Sequence, residues 1–189
     1  MSFGGGTSIL NCTDCPPGFF AENQGSRYCT FTLQGVYAPG GTATPIPCPR
    51  GTYNNVFKAA SCLECPKGKY LNGTGSKSLS ECETCPVGTF SNETGTATCT
   101  PTPPGHFNGF AGGPFSYQCP EGSYTTGYGQ SSCTDCPLGY TTLSKSSVHA
   151  SQCYPCPVGF YHFKIPGMSA CIACPAGTTA ITNASTSCS

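Results

Sequence analysis

Cysteine is the residue that most constrains what this chain can fold into. The 189 residues include 17 cysteines and no tryptophan, and Leu, Ile, Val and Phe together make up less than a fifth of the chain. That is too little branched and aromatic side-chain volume for a single oily core of this length. Disulfides or metal sites must therefore supply the stability that a hydrophobic core gives an ordinary domain.

The charge balance excludes several classes of protein. Lys and Arg number 8 and Asp and Glu number 8, so the formal net charge is zero. Disordered chains of low hydrophobicity usually carry a high net charge, and disorder is therefore disfavoured. We expect no nucleic-acid partner, because no basic cluster is available for phosphate groups.

The chain has no recognisable membrane or targeting segment. No apolar run reaches the roughly 18 to 20 residues that span a bilayer, and MSFGGGTSILNC lacks the positive start and the long apolar segment of a signal peptide. Disulfide-dense chains nonetheless belong to oxidising compartments reached by secretion. We therefore expect one stretch of a longer protein that is extracellular or at the cell surface.

The sequence is built from a short repeat. Each repeat begins with Cys-Pro-x-Gly-x-aromatic, continues through a stretch rich in Gly, Ser and Thr, and ends at Cys-x-x-Cys-Pro, which opens the next one. Ten repeats fit, at spacings of 16 to 20 residues, and the opening residue is numbered position 0. The ten opening residues are Cys15, Thr32, Cys48, Cys65, Cys85, Thr102, Cys119, Cys136, Cys156 and Cys174.

The local chemistry of the repeat predicts turns and very short strands. Gly stands at position 3 of all ten repeats, and Phe or Tyr stands at position 5 of eight. Cys-Pro-x-Gly predicts a four-residue turn of type I, with Pro second and Gly fourth. The ring at position 5 is then expected to lie against the disulfide. The polar stretches suit strands of two or three residues, and no window has helical periodicity.

Two repeats indicate how the cysteines pair. Thr32 and Thr102 replace the opening cysteine, and the closing position of the same repeats holds Pro45 and Ser116. Joint loss is expected if opening and closing residues of one repeat form the bridge, because a lone thiol is prone to mispairing. The predicted disulfides are Cys15–Cys29, Cys48–Cys62, Cys65–Cys82, Cys85–Cys99, Cys119–Cys133, Cys136–Cys153, Cys156–Cys171 and Cys174–Cys188.

Cys12 is left without a partner by this pairing. It occupies a closing position whose opening residue would precede residue 1. We expect that the partner lies outside this stretch of chain, and the alternative is a bridge to another chain. The masses of the reduced and the non-reduced protein distinguish the two.

A longer period lies above the repeat. The first four openings recur after 70 or 71 residues, with the unbridged second repeat and the long fourth repeat in register. We predict a lead-in at residues 1–14, four-repeat super-repeats at 15–84 and 85–155, and a partial third at 156–189. Each repeat is expected to contact mainly its neighbours, with the unbridged repeats as softer joints or sites of lateral contact.

The openings CPPGFF, CPRGTY, CPKGKY, CPVGTF and CPEGSY and their Cys-x-x-Cys-Pro junctions resemble the ephrin-receptor-like cysteine-rich repeats. More loosely, they are similar to the tumour necrosis factor receptor modules. The resemblance covers residues 12–188 and implies an elongated, disulfide-rich tandem ladder of short β-hairpins with little or no helix. Such repeats occur in extracellular regions of animal receptors and in large surface proteins of protists. They specify an architecture, since the same fold serves ligand binding, adhesion and spacing.

The alternatives to a disulfide scaffold have weaker support. Six Cys-x-x-Cys pairs could hold zinc. The Pro after the second Cys, the N-glycosylation sequons and the matched cysteine losses favour disulfides. No βαβ pattern surrounds a Cys-x-x-Cys pair, as a thioredoxin-like site requires. We therefore expect no metal and no cofactor.

No catalytic apparatus is visible. His106, His149 and His162 fall in separate repeats with no recurring carboxylate or thiol spacing, and we expect them to be surface residues. Glu81 and Glu83 flank Cys82, but no second carboxylate cluster stands at a recognisable spacing, and no nucleophile or phosphate-binding motif is present. The chain is not predicted to be an enzyme.

Four sequons mark candidate glycosylation sites at Asn11, Asn72, Asn92 and Asn183. Asn72 and Asn92 both stand at position 7, which places them on equivalent loops. The high Ser and Thr content also permits O-glycosylation. Glycans would keep a thin molecule of zero net charge soluble.

The function favoured by the sequence is an extracellular structural glycoprotein region that builds a stalk or filament and self-associates, or assembles with other extracellular proteins. The alternative is the ligand-binding ectodomain of a cell-surface receptor, although no long irregular insertion marks a ligand loop. Lateral contact, or packing on the adjacent repeat, is expected for six rings: Phe110, Phe115, Tyr117, Tyr154, Phe160 and Phe163.

Overall fold

The computed structural model describes residues 14–23, 26–165 and 168–189. The chain divides into two compact parts. The N-terminal part ends at Glu83 and also contains Glu93–Thr98, and the C-terminal part comprises Thr84–Asn92 and Cys99–Ser189. Both parts are built from one local element, a short β-hairpin.

Each hairpin pairs one strand with the next strand along the chain, which gives nine two-stranded sheets in the described ranges. The first strand begins at position 4, and the second ends at the residue before the next opening. This confirms the predicted disulfide-rich tandem hairpin fold. The strands are β1 (Phe19–Phe20), β2 (Thr30–Phe31), β3 (Val36–Tyr37), β4 (Ile46–Pro47), β5 (Thr52–Tyr53), β6 (Leu63–Glu64), β7 (Lys69–Tyr70), β8 (Glu83–Thr84), β9 (Thr89–Phe90), β10 (Thr100–Pro101), β11 (His106–Phe107), β12 (Tyr117–Gln118), β13 (Ser123–Tyr124), β14 (Thr134–Asp135), β15 (Tyr140–Thr141), β16 (Tyr154–Pro155), β17 (Phe160–Ile165) and β18 (Met168–Ala173).

Helical structure in the described residues amounts to two short 3-10 turns. They are η1 (Leu79–Glu81) and η2 (Ala150–Gln152). Both occur in the repeats of 20-residue spacing, immediately before the closing cysteine, so the three extra residues are taken up as one tight turn. Ser78 and His149 cap the two turns by accepting backbone N–H groups.

The structure joins the same eight cysteine pairs that the sequence predicts, with Cα–Cα distances of 5.4 to 5.8 Å. Seven bridges tie the opening of a repeat to the end of the hairpin in the same repeat, and Cys174–Cys188 closes the last repeat, which has no strand pair in the described residues. The opening cysteines from Cys15 to Cys156 are 0 to 8% exposed. Their sulfur atoms therefore form a large part of the small interior.

The turn at the start of each repeat lies one residue later than predicted. Pro49 accepts a hydrogen bond at its carbonyl from the N–H of Thr52, at 3.1 Å, and the same bond recurs in nine repeats. The turn is therefore Pro-x-Gly-x. Gly51 is its third residue and has a φ of 82°. A positive φ at that place is the requirement of a type II turn, and the predicted type I turn is wrong.

Main-chain hydrogen bonds join most of the described repeats to the next at recurring positions. Gly at position 3 donates to the carbonyl at position 6 of the next repeat in six repeats, and the carbonyl at position 0 accepts from position 10 in seven. Except in the first repeat, where Ala21 donates to Thr42 at position 10, the N–H at position 6 donates to the carbonyl at position 11 of the repeat that follows wherever this bond is described. In the N-terminal part these bonds are Gly51–Leu71 at 2.8 Å, Cys48–Gly75 at 2.8 Å and Asn54–Ser76 at 3.0 Å. In the C-terminal part they are Gly105–Thr125 at 3.1 Å, Thr102–Gly129 at 2.9 Å and Thr125–Ser147 at 3.1 Å.

Glycine at position 3 also approaches the second repeat along the chain. A Cβ atom on Gly51 would lie 1.8 Å from the carbonyl oxygen of Gly95, which is at position 10 two repeats later. The expectation that a repeat contacts mainly its immediate neighbours is therefore incomplete. Glycine is required for both its positive φ and its missing side chain.

In the third repeat the aromatic residue at position 5, Tyr53, packs across the junction to the fourth repeat. Tyr53 forms a buried cluster with Leu71 and with the bridge Cys65–Cys82, all of which belong to the following repeat. The sequence predicted a ring that lies on a bridge, and the structure places that bridge in the next repeat. The small apolar core is thus located between hairpins, where it opposes their separation.

We predict that Gly51→Ala destabilises the protein far more than Gly159→Ala. Both glycines have a positive φ, so either alanine costs about 1 to 2 kcal/mol in backbone strain. A Cβ on Gly159 meets nothing within 4 Å, whereas a Cβ on Gly51 collides with a carbonyl. The collision adds about 1 to 3 kcal/mol. Urea unfolding of the oxidised protein measures both, and equal losses would refute the carbonyl contact.

Candidate functional site

The two unbridged repeats replace the disulfide with a buried hydroxyl. Thr32 is 0% exposed, and its Oγ1 accepts the N–H of Ala59 at 2.9 Å and lies 3.4 Å from the Ala59 carbonyl. Thr102 is equally buried and donates from Oγ1 to the carbonyl of Gln130 at 3.1 Å. Each hydroxyl forms a hydrogen bond with the main chain at position 11 of the next repeat. It therefore links two repeats, whereas a disulfide at the same residue links the two ends of a single repeat. That the unbridged repeats are softer joints stays a prediction.

Position 6 carries structural residues that the sequence analysis missed. Asn54 is buried, donates from Nδ2 to the carbonyl of Val36 at 2.8 Å, and accepts the N–H of Val56 at 3.0 Å. Asn108 makes the equivalent bonds to Thr89 and Phe110. The alignment of the repeats could have revealed them, because position 6 holds only residues that fit a buried junction between repeats. From the second repeat on, this column contains Ala38, Asn54, Leu71, Ser91, Asn108, Thr125, Thr142, His162 and Ala180.

The ninth repeat departs from the common hairpin. Its strands β17 and β18 are six residues long, whereas each of the other strands has two. The pairing is in continuous antiparallel register from Phe160↔Ala173 to Ile165↔Met168. Lys164 on β17 forms an ion pair of 2.6 Å with Asp135 of the seventh repeat. A spacing of 18 residues gave no sign of this extension.

His162 lies in the interior of this hairpin, and the prediction that it is a surface residue is wrong. The side chain is 6% exposed. Its Nδ1 lies 3.2 Å from the N–H of Gly139, which can only donate, so Nδ1 accepts. Nε2 then carries the proton and donates to Oγ of Ser169 at 2.9 Å. The carbonyl of Ser169 in turn accepts from Thr141 at 3.1 Å.

The ring of His162 takes over a role that a main-chain carbonyl has in six other repeats, where Gly at position 3 donates to position 6. The hydroxyl of Thr142 has the same role opposite Gly122. Burial lowers the pKa of His162, and the positive charge of Lys164 lowers it further. The neutral ring is the form that can accept from Gly139. The other histidines have different settings, because His149 is exposed and caps η2 while His106 is half-buried.

A groove of about 300 Å³ lies beside the extended hairpin, within the C-terminal part. Its walls combine apolar and aromatic side chains with one carboxylate. They include Leu143 and Tyr154 from the eighth repeat, Phe160 and Ser169 from the ninth, and Glu121 from the seventh. Glu121 is the acidic group in the wall.

The structure brings together two of the six rings singled out from the sequence. Tyr154 and Phe160 are exposed and both line the groove. Phe163 is half-buried on the same hairpin. Phe110, Phe115 and Tyr117 are exposed in the sixth repeat, outside the groove lining, and Tyr117 lies 6.1 Å from the ring of Phe107. The groove therefore accounts for Tyr154 and Phe160 alone.

The modification and metal predictions fare as follows. Asn72, Asn92 and Asn183 are exposed, and Asn11 and Cys12 lie outside the described residues. Across the described ranges no group of three or more His, Cys, Asp or Glu side chains could hold a metal ion. Sixteen cysteines are in disulfides and offer no thiolate to zinc.

Tandem hairpins, most of them closed by one disulfide bridge, define a class of disulfide-rich repeat module. The family model of the tyrosine-protein kinase ephrin type A/B receptor-like repeat matches residues 35–82, 117–153 and 146–189. These segments cover more than half of the chain, which belongs to this family, as the sequence resemblance predicted. The family is a non-catalytic type of module that is typical of extracellular domains. No curated protein matches the chain. The described residues contain no helix of the length and apolarity that would cross a membrane.

We predict that protonation of His162 weakens the junction between the eighth and ninth repeats. The folded pKa is below the unfolded value of about 6.5, so the unfolded chain binds more protons between the two pKa values. Stability is therefore complete above pH 6.5 and is lost as the pH falls towards the folded pKa. Unfolding measured from pH 7.5 to pH 4.5 should show this loss, and His162→Asn, whose Oδ1 still accepts from Gly139, should reduce it.

His149→Gln is the matched control, because His149 is exposed. It should keep the pH dependence of the wild-type protein. The nearby charged groups are Lys164, its partner Asp135, and Glu121 in the groove wall. An unchanged pH profile in His162→Asn would assign the effect to these carboxylates and contradict the prediction.

Proposed function

We propose that this chain is an extracellular structural repeat region that acts as a stalk or filament segment and self-associates. The observation that carries the proposal is the set of main-chain hydrogen bonds that recurs between successive repeats. Bonds of this kind depend little on side chains, so a stack of repeats keeps its geometry while the exposed residues vary. A sequence with those properties serves as a spacer.

The chemistry of the chain supports an extracellular location. Bridges that close loops of 14 to 17 residues persist where the environment is oxidising. The family to which the chain belongs is typical of extracellular domains. A thiol-reducing cytosol would deprive each bridged repeat of the crosslink that holds its two ends together.

A second candidate function is ligand binding by a receptor-type ectodomain. The groove beside β17 and β18 favours it, because the extended hairpin is the irregular feature that ligand sites usually show. Tyr154 and Phe160 supply rigid apolar surface, and Glu121 supplies a charge. The two functions are compatible if the groove is carried on a structural stack.

We propose N-glycans on Asn72 and Asn92 and also on Asn183, with O-glycans on the exposed Ser and Thr residues. Asn72 and Asn92 occupy the same exposed position of consecutive repeats, directly after the buried position 6. A glycan there would extend away from the junctions between repeats. The same substituents would offset the low charge of the surface.

Electron microscopy of the native material tests the structural function. We expect ordered polymers, in which a regular spacing repeats along the axis, because most repeats use the same main-chain junction to the next. Reduced and alkylated protein is the control and should lose the order. Dispersed single chains that retain one defined partner protein would overturn the structural function in favour of ligand binding.

Secretion from a eukaryotic host tests the glycans. Asn72→Gln and Asn92→Gln should each lower the mass of the secreted protein by one N-glycan, and peptide-N-glycosidase should remove the difference. Asn55→Gln is the matched control, since Asn55 is exposed on a neighbouring loop and is not in a sequon. Equal masses for all three variants would show that the two sequons are unused.

A further inference from the structure

Two asparagines of this chain stand directly before a glycine, which is the arrangement that favours loss of the side-chain amide. They are Asn72, followed by Gly73, and Asn108, followed by Gly109. A main-chain nitrogen reaches the Cγ atom of the preceding asparagine most easily where its own residue has no Cβ atom to obstruct the approach. The sequence alone does not distinguish the two sites, whereas the structure does.

Asn108 is held in a geometry that prevents the reaction. The residue is 0% exposed. Its Nδ2 donates to the carbonyl of Thr89 at 2.7 Å, and its Oδ1 accepts the N–H of Phe110 at 3.1 Å. A Cβ on Gly113 would lie 2.2 Å from Nδ2, so little space surrounds the amide. The side chain can turn towards the nitrogen of Gly109 only when this part of the repeat opens.

Asn72 has none of these restraints. Asn72, Gly73 and Thr74 are exposed. In the part of the chain that the structure describes, neither the amide of Asn72 nor the N–H of Gly73 forms a hydrogen bond. Apart from the adjacent residues, a Cβ added to Gly73 would have one neighbour within 4 Å, the Oγ atom of Ser76 at 3.9 Å. The side-chain amide and the attacking nitrogen are therefore free to approach each other.

We propose that Asn72 is a site of non-enzymatic deamidation, and that the fold protects Asn108 from the same reaction. The nitrogen of Gly73 loses its proton to hydroxide and attacks Cγ of Asn72, and Nδ2 takes up a proton and leaves as ammonia. The cyclic succinimide then takes up one water molecule and opens to aspartate or to isoaspartate. Each conversion consumes one water and releases one ammonia, and no oxidant, reductant or enzyme takes part.

The product lies next to the junction between the third and fourth repeats. Leu71 accepts at its carbonyl from Gly51 at 2.8 Å, and Gly75 donates its N–H to Cys48 at 2.8 Å. Asn72 is on the segment between these two bonds. Isoaspartate adds one methylene group to the main chain, and both products add a negative charge to a chain whose formal net charge is zero. Conversion therefore alters the charge and the main-chain length beside a junction.

The proposal does not depend on self-association or on the proposed glycans. A glycan on Asn72 and deamidation of Asn72 use the same nitrogen atom, so they exclude each other on one copy of the chain. The reaction concerns the copies in which this asparagine carries no glycan. The test therefore uses the full chain from a bacterial periplasm, where disulfides form and eukaryotic N-glycans are not added. Enzymatic removal of glycans is unsuitable, because peptide-N-glycosidase itself leaves aspartate.

Incubation of this oxidised protein at mildly alkaline pH, followed by peptide mass spectrometry, measures both sites. Each conversion should raise the mass of the peptide by about 1 Da. The peptide of Asn72 should convert at least about tenfold faster than the peptide of Asn108, because Asn108 reacts only after local opening. Protein that is reduced, alkylated and kept in urea is the control, and there the two peptides should convert at similar rates.

Gly73→Ala is the matched variant. It keeps the sequon at Asn72, and the structure leaves space for the added methyl group. The methyl group obstructs the attacking nitrogen, so conversion of Asn72 should slow by about tenfold or more. Labelling by an isoaspartate methyltransferase gives a second readout in the wild-type protein, since direct hydrolysis of the amide yields aspartate alone.

The outcomes decide each part of the proposal. Equal rates at Asn72 and Asn108 in the folded protein would show that the fold gives no protection, and an unmodified Asn72 would overturn the site. An unchanged rate in Gly73→Ala, or aspartate without isoaspartate, would contradict attack by the nitrogen of Gly73. If this variant fails to fold, the comparison of the two asparagines in the wild-type protein decides. None of these results bears on the stalk or filament function, which the electron microscopy tests.

Discussion

The contact between a glycine at position 3 and the main chain of later repeats is the constraint on which the fold depends. At Gly51 the residue turns the chain with a positive φ, donates its N–H to Leu71 and leaves space for the carbonyl of Gly95. A side chain at this residue would interfere with the turn and with the contact to Gly95. Because these roles use backbone atoms, they require a glycine at position 3 and restrict the residue types at the other positions of the repeat comparatively little.

The disulfides and the stacking act on different parts of the repeat. A bridge joins the two ends of one hairpin. Its opening cysteine also packs against the ring of the preceding repeat, as the Tyr53 cluster shows. The second repeat has no bridge, yet Gly35 still donates to Asn54 at 2.9 Å and Cys48 to Gly35 at 2.9 Å. The hydrogen-bonded frame is therefore independent of any single bridge. The bridge restricts the unfolded chain, and the frame sets the geometry of the folded one.

The sequence predicted the features that depend on a particular residue type recurring at a fixed spacing. The cysteine pairing followed from the joint absence of Cys at Thr32 and Pro45, and the hairpins followed from the short polar stretches. It did not reveal features that depend on the three-dimensional environment of a residue. His162 is buried where the N–H of Gly139 needs an acceptor, and neither residue by itself indicates this need. The turn was placed one residue early because Pro and Gly suit both frames, and only the φ of Gly51 distinguishes type II from type I.

The ninth repeat illustrates how such a frame can carry function on its exterior. Its hairpin is extended and borders a groove, yet the bonds to the tenth repeat are retained, since Cys156 still accepts from Ala184 and His162 still donates to Ser185. Among the added strand residues, Ser169 is buried and its carbonyl accepts from Thr141 of the eighth repeat. A repeat protein of this kind can therefore border a groove by lengthening one hairpin while it keeps the junction to the following repeat. The junction to the preceding repeat changes with the hairpin, because Ser169 lines the groove and also binds His162, which accepts from Gly139.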